Sequence, residues 1–172
     1  MRMHNALMQT MPHYDIVSLT QDNYTIAREV YFTNPEYFAF FGGVSDDESI
    51  LNAMYAVPDG FDISGKLFVA ICDKNQDGKV VAVIDLLADY PNKGNLWLGL
   101  LLVHGDLHGK GIGAFVVDGV VKAASSANFD SIRLGIIEKN SNAIRFWEKV
   151  SFTHEGKSND ILVFQRGLHE SL

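Results

Sequence analysis

The sequence predicts one α/β (α+β) domain, built on a mixed, mostly antiparallel sheet of about six to seven strands with about four flanking helices. Its 172 residues suit one domain with a sizeable core. Hydrophobic residues make up 47% and charged residues 20%, which is typical of a soluble globular protein. Strand-like and helix-like runs alternate along the chain, and Asn75–Gly78 is a strong hairpin signal between two apolar runs, so several neighbouring strands should be antiparallel.

The N-terminal third predicts one strand and two helices. Residues 1–12 contain no long apolar run, so we expect no signal peptide and a loosely held N-terminal tail. Tyr14–Leu19 reads as the first strand, and Asp22–Phe32 as a helix. Ser45 and Glu48 form a capping-box pattern that predicts the start of a second helix.

The rest of the chain predicts three successive strands and then alternating helices and strands. Apolar residues from Ile112 to Ala124 recur three and four positions apart, as on one face of a helix. A second such face runs from Ala143 to Val150. The predicted strands are Lys66–Asp73, Lys79–Leu87, Leu96–Val103, Ser131–Glu138, one that begins at Phe152, and Ile161–Arg166.

Charge and cysteine content narrow the functional classes. The formal net charge is −7, which disfavours an extended nucleic-acid surface. No apolar stretch reaches the roughly 18 residues of a membrane span. Cys72 is the one cysteine, so no internal disulfide forms. We therefore expect a cytoplasmic protein that binds neither nucleic acid nor membranes, and we predict no metal site.

Three glycines, Gly109, Gly111 and Gly113, lie between the predicted strand Leu96–Val103 and the predicted helix that follows it. Glycines at a helix N-terminus let an anion approach unpaired N–H groups, although a tight loop that needs positive φ would also use them. The positive charge of Lys110 favours the anion-binding explanation. The dinucleotide pattern G-x-G-x-x-A is formally met, but HGDLH separates it from the strand and repeated βαβ units are missing.

The segment VHGDLHGKGIG (Val103–Gly113) resembles the acetyl-CoA signature of the GNAT superfamily of N-acetyltransferases: Arg or Gln, two residues, Gly, one residue, then Gly or Ala. His108 stands at the Arg/Gln position. NSNAIRFWEKVSF (Asn140–Phe152) resembles a second family segment, with Asn140, Ala143 and Phe152 matching. The two segments lie at the family spacing, and the element order fits over most of the chain.

The resemblance implies binding of acetyl-CoA as co-substrate. The strand end would pair with the pantetheine arm, the glycine loop would hold the pyrophosphate, and the start of the last helix would flank the arm. A plain helix N-cap is the alternative role of Asn140. The implied residues are Leu102, Val103, His108, Gly109, Lys110, Gly111, Ile112, Gly113, Asn140, Phe146 and Trp147.

The catalytic groups depart from the family pattern. Trp147 stands where many relatives have a tyrosine general acid, and an indole does not protonate a leaving group near neutral pH. The predicted strand Leu96–Val103 lacks the Glu that relatives often use as the general base. Asp85 and Glu138 are the candidates, since Asp89 reads as a turn residue. Asp85 could instead lie on a solvated strand face. A backbone N–H near Val103 is the candidate oxyanion donor.

The resemblance predicts acetyl transfer to a primary amine of a small-molecule acceptor. The aromatic-rich segment Tyr31–Gly43 would line the acceptor pocket, or serve only as core. An acyl group larger than acetyl, a non-catalytic acyl-CoA sensor and a dinucleotide module are the alternatives. A homodimer through an exposed edge of the last strands is also plausible.

Overall fold

The computed structural model describes residues 2–169 and contains one seven-stranded sheet in the order β1-β2-β3-β4-β5-β7-β6. All neighbouring pairs are antiparallel except β4 and β5. The predicted fold class is confirmed. The strands are β1 Tyr14–Ser18, β2 Lys66–Asp73, β3 Lys79–Ala88, β4 Asn95–Val103, β5 Ser131–Ile137, β6 Thr153–Ser158 and β7 Ile161–Gly167.

Helices cover both faces of this sheet and create two hydrophobic cores. One core lies under α1, α5 and α6, and the other lies under α2 and α4. The helices are α1 Arg2–Thr10, α2 Arg28–Phe32, α3 Pro35–Ala39, α4 Asp47–Tyr55, α5 Ile112–Ser126 and α6 Ser141–Lys149. No helix within residues 2–169 is long and apolar enough to cross a membrane.

The N-terminus is not the loose tail that the sequence predicted. Residues 2–10 form α1, which packs on α5. Met3 and Leu7 are buried in the larger core, as is Met11 just beyond the helix. The Thr10 hydroxyl donates to the Gly119 carbonyl at 3.0 Å. The expectation of a loose tail is therefore wrong, because an apolar helical face offsets the entropy of ordering the terminus.

The two N-terminal helices also differ in detail from prediction. The region 22–32 folds as a short 3₁₀ turn followed by α2. Helix α4 is capped by Asp46, whose carboxylate accepts from the Ser49 N–H at 2.9 Å. The predicted Ser45–Glu48 box is thus replaced by a cap one residue later, because an Asp side chain satisfies the same orphan donors.

A β-bulge at Gly99 divides β4 into two halves. Asp85 of β3 faces Leu100, whereas the next residue, Leu86, faces Leu98. Residues two apart in a strand normally face the same side of the sheet, but the extra residue of a bulge shifts this alternation by one. Leu98 therefore packs in the α1/α5 core and Leu100 in the α2/α4 core. The bulge also opens the space into which the Asp85 carboxylate points: a Cβ on Gly99 would lie 3.0 Å from Asp85 Oδ2.

The two central strands of the sheet separate after a short contact. β4 and β5 are parallel and pair only from Asn95–Trp97 against Ser131–Arg133, as far as residues 2–169 show. From Leu98 onward, β4 has no strand on its β5 side. This β4–β5 gap exposes backbone polar groups in the middle of the sheet, where they are normally paired.

Candidate active site

A cavity of about 60 Å³ occupies the β4–β5 gap. We call it the gap cavity. Its walls are the unpaired parts of both strands, the aromatic residues in and just after α3, and α6 with its N-cap. The lining comprises Tyr37, Phe40, Phe41, Leu98–Leu101, Leu134–Ile137, Asn140, Ala143 and Trp147. The predicted aromatic segment therefore contributes wall residues as well as core.

The pairing of β4 with β3 decides which of its N–H groups face this gap. The His104 N–H donates to the Val81 carbonyl at 2.9 Å. Since successive residues of an antiparallel strand direct their polar groups to opposite sides, Leu102 directs its groups to β3, and Leu101 and Val103 direct theirs into the gap. On this register the Leu102 backbone does not face the gap and that of Leu101 does, whereas the pairing with a pantetheine arm stays a prediction.

The glycine loop ends in the unpaired N-terminus of α5. Gly109 and Gly111 have φ of +73° and +81°, and a Cβ on either would meet nothing within 4 Å. Their backbone conformation, not lack of space, requires glycine. The first hydrogen bond of α5 runs from the Phe115 N–H to the Gly111 carbonyl. The three preceding N–H groups, from Ile112 to Ala114, therefore have no intrahelical acceptor.

The other loop residues have different roles. A Cβ on Gly113 would lie 3.2 Å from the Phe146 ring, so Gly113 permits close packing of α5 on α6. Ile112 is half-buried as the first residue of α5 and packs on the larger core. Lys110 is exposed at the tip of the loop, where its ammonium adds positive charge beside the free N–H groups.

The carbonyl of Val103 joins the loop to the α2–α3 segment. It accepts from His108 Nε2 at 2.9 Å and from Asn34 Nδ2 at 2.8 Å. A carbonyl only accepts, so Nε2 of His108 carries the proton. The Gly105 N–H donates to Thr33 Oγ1 at 2.9 Å. Sequence reasoning missed Asn34 and Thr33, and the Asn34–Pro35 turn signal was the only available hint.

The start of α6 forms the opposite wall of the gap. Asn140 is the N-cap of α6, and its Oδ1 accepts from the Ala143 N–H at 3.1 Å. Asn140 lines the gap cavity, and the cap uses only its Oδ1, so both predicted roles are compatible. Trp147 is 8% exposed and contacts Phe146 and Phe152 edge to face, with ring centroids 5.0 Å apart in each pair. Trp147 thus lies in an aromatic cluster at the base of the gap.

Asp85 lies beside the bulge with its side chain largely buried, and not on a solvated face. Its Oδ2 lies 2.9 Å from Lys66 Nζ, and the Lys66 and Asp85 side chains are 6% and 16% exposed. Lys66 also donates to the Ala56 carbonyl at 2.6 Å. Asp85 Oδ1 is buried and has no hydrogen-bond partner within the described chain. Burial raises the pKa of the Asp85 carboxyl, and the Lys66 ammonium opposes this rise.

The other proposed titratable groups do not reach the gap. Glu138 is exposed and pairs with Lys157 Nζ at 2.8 Å, next to the β6–β7 hairpin, so its prediction as a base is not supported by its position. Asp89 accepts from the Gly94 N–H at 2.8 Å in the β3–β4 turn. His104 is buried and its Nδ1 accepts from the Asp106 N–H at 3.2 Å. The contacts of Asp89 and His104 are thus with backbone groups of their own loops.

Two tyrosines lie near Asp85 on the α2/α4 side. Burial, with a smaller contribution from the Asp85 charge, raises the pKa of Tyr37 to about 12. Burial, followed by the charges of Asp85 and Tyr37, raises the pKa of Tyr31, whose hydroxyl is buried and has no partner in residues 2–169. Both hydroxyls are therefore protonated near neutral pH and can donate hydrogen bonds there.

Two further cavities continue the gap cavity in opposite directions. The outer cavity, of about 1040 Å³, shares Tyr37, Phe40 and Asn140 with the gap and extends to His108 of the glycine loop. The Asp85 cavity, of about 240 Å³, shares Gly99 with the gap. The three cavities therefore have lining residues in common along β4, and Gly99 is the residue shared by the gap cavity and the Asp85 cavity.

The splayed sheet, the glycine loop at a helix N-terminus and the strand N–H groups in the gap define an acetyltransferase fold of the GNAT type. The chain belongs to this family: the Acetyltransferase (GNAT) family profile matches residues 34–152. The matched segment contains the glycine loop, Asn140 and Trp147. No curated protein matches the sequence.

Solved structures of the same fold cover nearly the whole chain. An acetyltransferase from Thermus thermophilus has a TM-score of 0.74 at 20% identity and covers 90% of this chain and 97% of its own. A GCN5-related N-acetyltransferase from Kribbella flavida has a TM-score of 0.64 at 14% identity, with 91% and 99% covered. These identities establish a shared fold and nothing finer. The dinucleotide alternative is wrong, because the sheet is mostly antiparallel.

Proposed function

We propose that this protein is an N-acetyltransferase that moves the acetyl group of acetyl-CoA to a primary amine of a small-molecule acceptor by direct attack. The observation that carries the proposal is the arrangement of groups along β4. The open edge of this strand and the free donors of the glycine loop lie on its β5 side, and the Lys66–Asp85 pair lies beside the bulge on its β3 side. Family membership supports the acetyl transfer, and this arrangement supports the assignment of roles.

The coenzyme end of the path is formed by backbone groups. The free N–H groups at the start of α5, with Lys110, would hold the pyrophosphate. The backbone polar groups of Leu101 and the N–H of Val103 would pair with the pantetheine arm, as would the side chain of Asn140. This arrangement needs no specific side chain in the loop except glycine, so His108 at the Arg/Gln position is compatible with it.

The reaction end requires an oxyanion donor and a base. The N–H of Leu101 or Val103 would donate to the thioester oxygen as negative charge develops on it. The Asp85 carboxylate, directly or through a water, would accept the proton that the amine loses as nitrogen bonds to the carbonyl carbon and the C–S bond breaks. A thiolate with a pKa near 8.5 leaves without an acid, so Trp147 does not prevent turnover. The gap cavity, about two water volumes, favours acetyl over larger acyl groups.

Thiol release from acetyl-CoA in the presence of single primary amines tests this function, with the N-acetylated product identified by mass. Saturable release with at least one amine is the expected result, and it should depend on both substrates. Tight binding of acetyl-CoA without turnover by any amine would instead identify a non-catalytic sensor. Release of the thiol without an N-acetyl product would contradict direct transfer to nitrogen.

A further inference from the structure

Asn34 is the N-cap residue of α3, but its side chain does not cap this helix. An asparagine at an N-cap normally accepts from an N–H group of the first helical turn. Here the amide group instead connects two other elements. Its Nδ2 donates to the Val30 carbonyl of α2 at 2.7 Å and to the Val103 carbonyl of β4 at 2.8 Å. The side chain therefore serves a tertiary connection and not its own helix.

The two carbonyls are ones that their own elements leave open. The Asn34 N–H, which would be the helical donor to the Val30 carbonyl, bonds the Tyr31 carbonyl instead. Val103 ends β4 on the edge that lies beyond its pairing with β5. Asn34 is 9% exposed, and its amide carries two N–H groups. One buried side chain thus satisfies two open carbonyls, which an aspartate of the same shape could not do.

A second contact fixes the loop after β4 to the same end of α2. The Gly105 N–H donates to Thr33 Oγ1 at 2.9 Å, and the Thr33 hydroxyl donates to the Glu29 carbonyl at 2.8 Å. The approach is close, because a Cβ on Gly105 would lie 2.7 Å from the Thr33 carbonyl oxygen. The adjoining residues Thr33 and Asn34 therefore hold both the end of β4 and the first part of the loop that leads to the glycines.

These contacts join two walls of the candidate coenzyme site. One wall is the open edge of β4. The other begins at Asn34, because Tyr37 of α3 and Phe40 just after it line both the gap cavity and the outer cavity. The Val103 carbonyl accepts from Asn34 and also from His108, so both of its lone pairs are used. The relative position of the two walls therefore depends on the Asn34 amide.

We propose that Asn34 is a positioning residue of the coenzyme site, which holds the open end of β4 and the α3 wall in the relative position that acetyl-CoA binding requires. The inference rests on the proposed function and adds a residue to it. Asn34 acts through the Val103 peptide and is not itself assigned a contact with the reacting atoms.

Calorimetric titration of Asn34→Asp with acetyl-CoA tests the proposal. The substitution keeps the shape but sets an oxygen against two carbonyl oxygens. We expect the Kd to rise at least about tenfold, the effect of roughly 1.4 kcal/mol, with an unchanged stoichiometry. Loss of fold would instead lower the stoichiometry and leave the Kd of the folded fraction unaltered, which would overturn the proposal.

Asn23→Asp is the matched control. Asn23 is likewise an N-cap residue without a side-chain cap, and its Nδ2 donates to the Ser18 carbonyl at 3.0 Å, in the segment that follows β1. Its Kd for acetyl-CoA should equal that of the wild type. An equal rise in Asn23→Asp and Asn34→Asp would overturn a specific role of Asn34.

A second variant disturbs the same contact without changing Asn34. Gly105→Ala places a methyl group against Thr33 and should push the loop away from α2, so we expect the Kd to rise about fivefold. Gly167→Ala is its control, because a Cβ there meets nothing within 4 Å. An unchanged Kd in Gly105→Ala would contradict the claim that the end of β4 must be held against α2.

A double-mutant cycle tests whether Asn34 acts through the Val103 carbonyl. Asn34→Ala and His108→Phe each remove one of its two donors, and either donor alone keeps the oxygen paired. The double variant should therefore raise the Kd at least about fivefold more than the product of the two single effects, a coupling of the size that groups in contact show. Single effects that simply multiply would show that Asn34 does not act through this atom.

The wild-type titration separates failure of the two proposals. Absence of acetyl-CoA binding by the wild type would overturn the proposed function. Binding by the wild type with the same Kd in Asn34→Asp and Gly105→Ala would overturn the positioning role and leave the proposed function intact.

Discussion

The two edges of β4 are built in opposite ways. Toward β3 the strand is paired along its length, with one bulge at Gly99. Toward β5 it is paired at three positions and then open. On the open side the available groups are backbone N–H and C=O, fixed by the sheet. On the paired side the bulge admits one side chain, Asp85, held by Lys66.

The comparison shows how one strand can hold two substrates by different means. A site made of backbone groups tolerates most side-chain changes, because every residue type except proline has the same N–H donor. It loses affinity only when a change alters the backbone conformation, as at a glycine with positive φ. A side-chain site depends on a few atoms. We therefore expect single-atom changes near Asp85 to affect turnover, and conformational changes in the glycine loop to affect affinity.

The largest effect is expected for Asp85→Asn. Asparagine keeps the shape and can still accept from Lys66, but it cannot take the amine proton. The kcat should fall by about 10³-fold at neutral pH, within the usual contribution of a general base. The loss should shrink at high pH, where the amine deprotonates unaided. Stopped-flow or steady-state thiol release measures both.

The direction of the Asp85 pKa shift also predicts how the reaction rate depends on pH. Burial raises the pKa of Asp85, so the wild-type rate should begin to fall at a higher pH than an ordinary carboxylate would give, and this acid limb should be absent in Asp85→Asn. Glu138→Gln is the matched control, because Glu138 is an exposed carboxylate paired with Lys157. An equal loss at all pH values, or an equal loss in Glu138→Gln, would remove Asp85 as base.

A smaller effect, on affinity, is expected for Gly111→Val. The φ of +81° strains a β-branched residue by about 1–3 kcal/mol, and the loop should move its N–H groups away from the pyrophosphate. We expect the Kd for acetyl-CoA to rise about 10²-fold, by calorimetry. Gly78→Val is the control, since Gly78 has φ of +74° in the β2–β3 hairpin. Similar affinity loss in both would point to general destabilisation.

The smallest effect is expected for Gly99→Ala. Gly99 is the bulge residue of β4 and borders both the gap cavity and the Asp85 cavity. The new methyl group would lie 3.0 Å from Asp85 Oδ2 and should displace the pair slightly. We expect about a tenfold lower kcat/KM for the amine, as a 1 Å misplacement commonly costs even more, and little change in the Kd for acetyl-CoA. Gly156→Ala in β6 is the control, because a Cβ there meets nothing within 4 Å. Unchanged turnover would separate the bulge from catalysis.

The sequence predicted most of the sheet because its signals are local. The turn at Asn75–Gly78 and the helical spacing after Ile112 identify their elements without knowledge of the fold. The glycine loop was likewise visible, since Gly109 and Gly111 are required by conformation. The apolar spacing of Met3 and Leu7 was also a local signal for α1, but a terminus is expected to fray, and only the α5 surface explains why it does not.

The rest of the site depends on register, which the sequence does not display. The sequence pointed to Leu102 and not to Leu101, because the direction of a strand N–H follows strand pairing rather than residue type. Asp85 could be singled out as polar in an apolar run, yet its partner Lys66 lies nineteen residues away. Asn34 and Thr33 reach the end of β4 through tertiary contacts of about seventy residues' separation, beyond any local pattern.

Calorimetric titration of the wild-type protein with acetyl-CoA, with ATP and NAD as controls, tests the central claim most directly, because the claim is that the open edge of β4 and the glycine loop form a coenzyme A site. The account predicts saturable binding of acetyl-CoA and no comparable heat from either control, with the binding weakened in Gly111→Val and retained in Asp85→Asn. Heat from ATP or NAD and none from acetyl-CoA would contradict it.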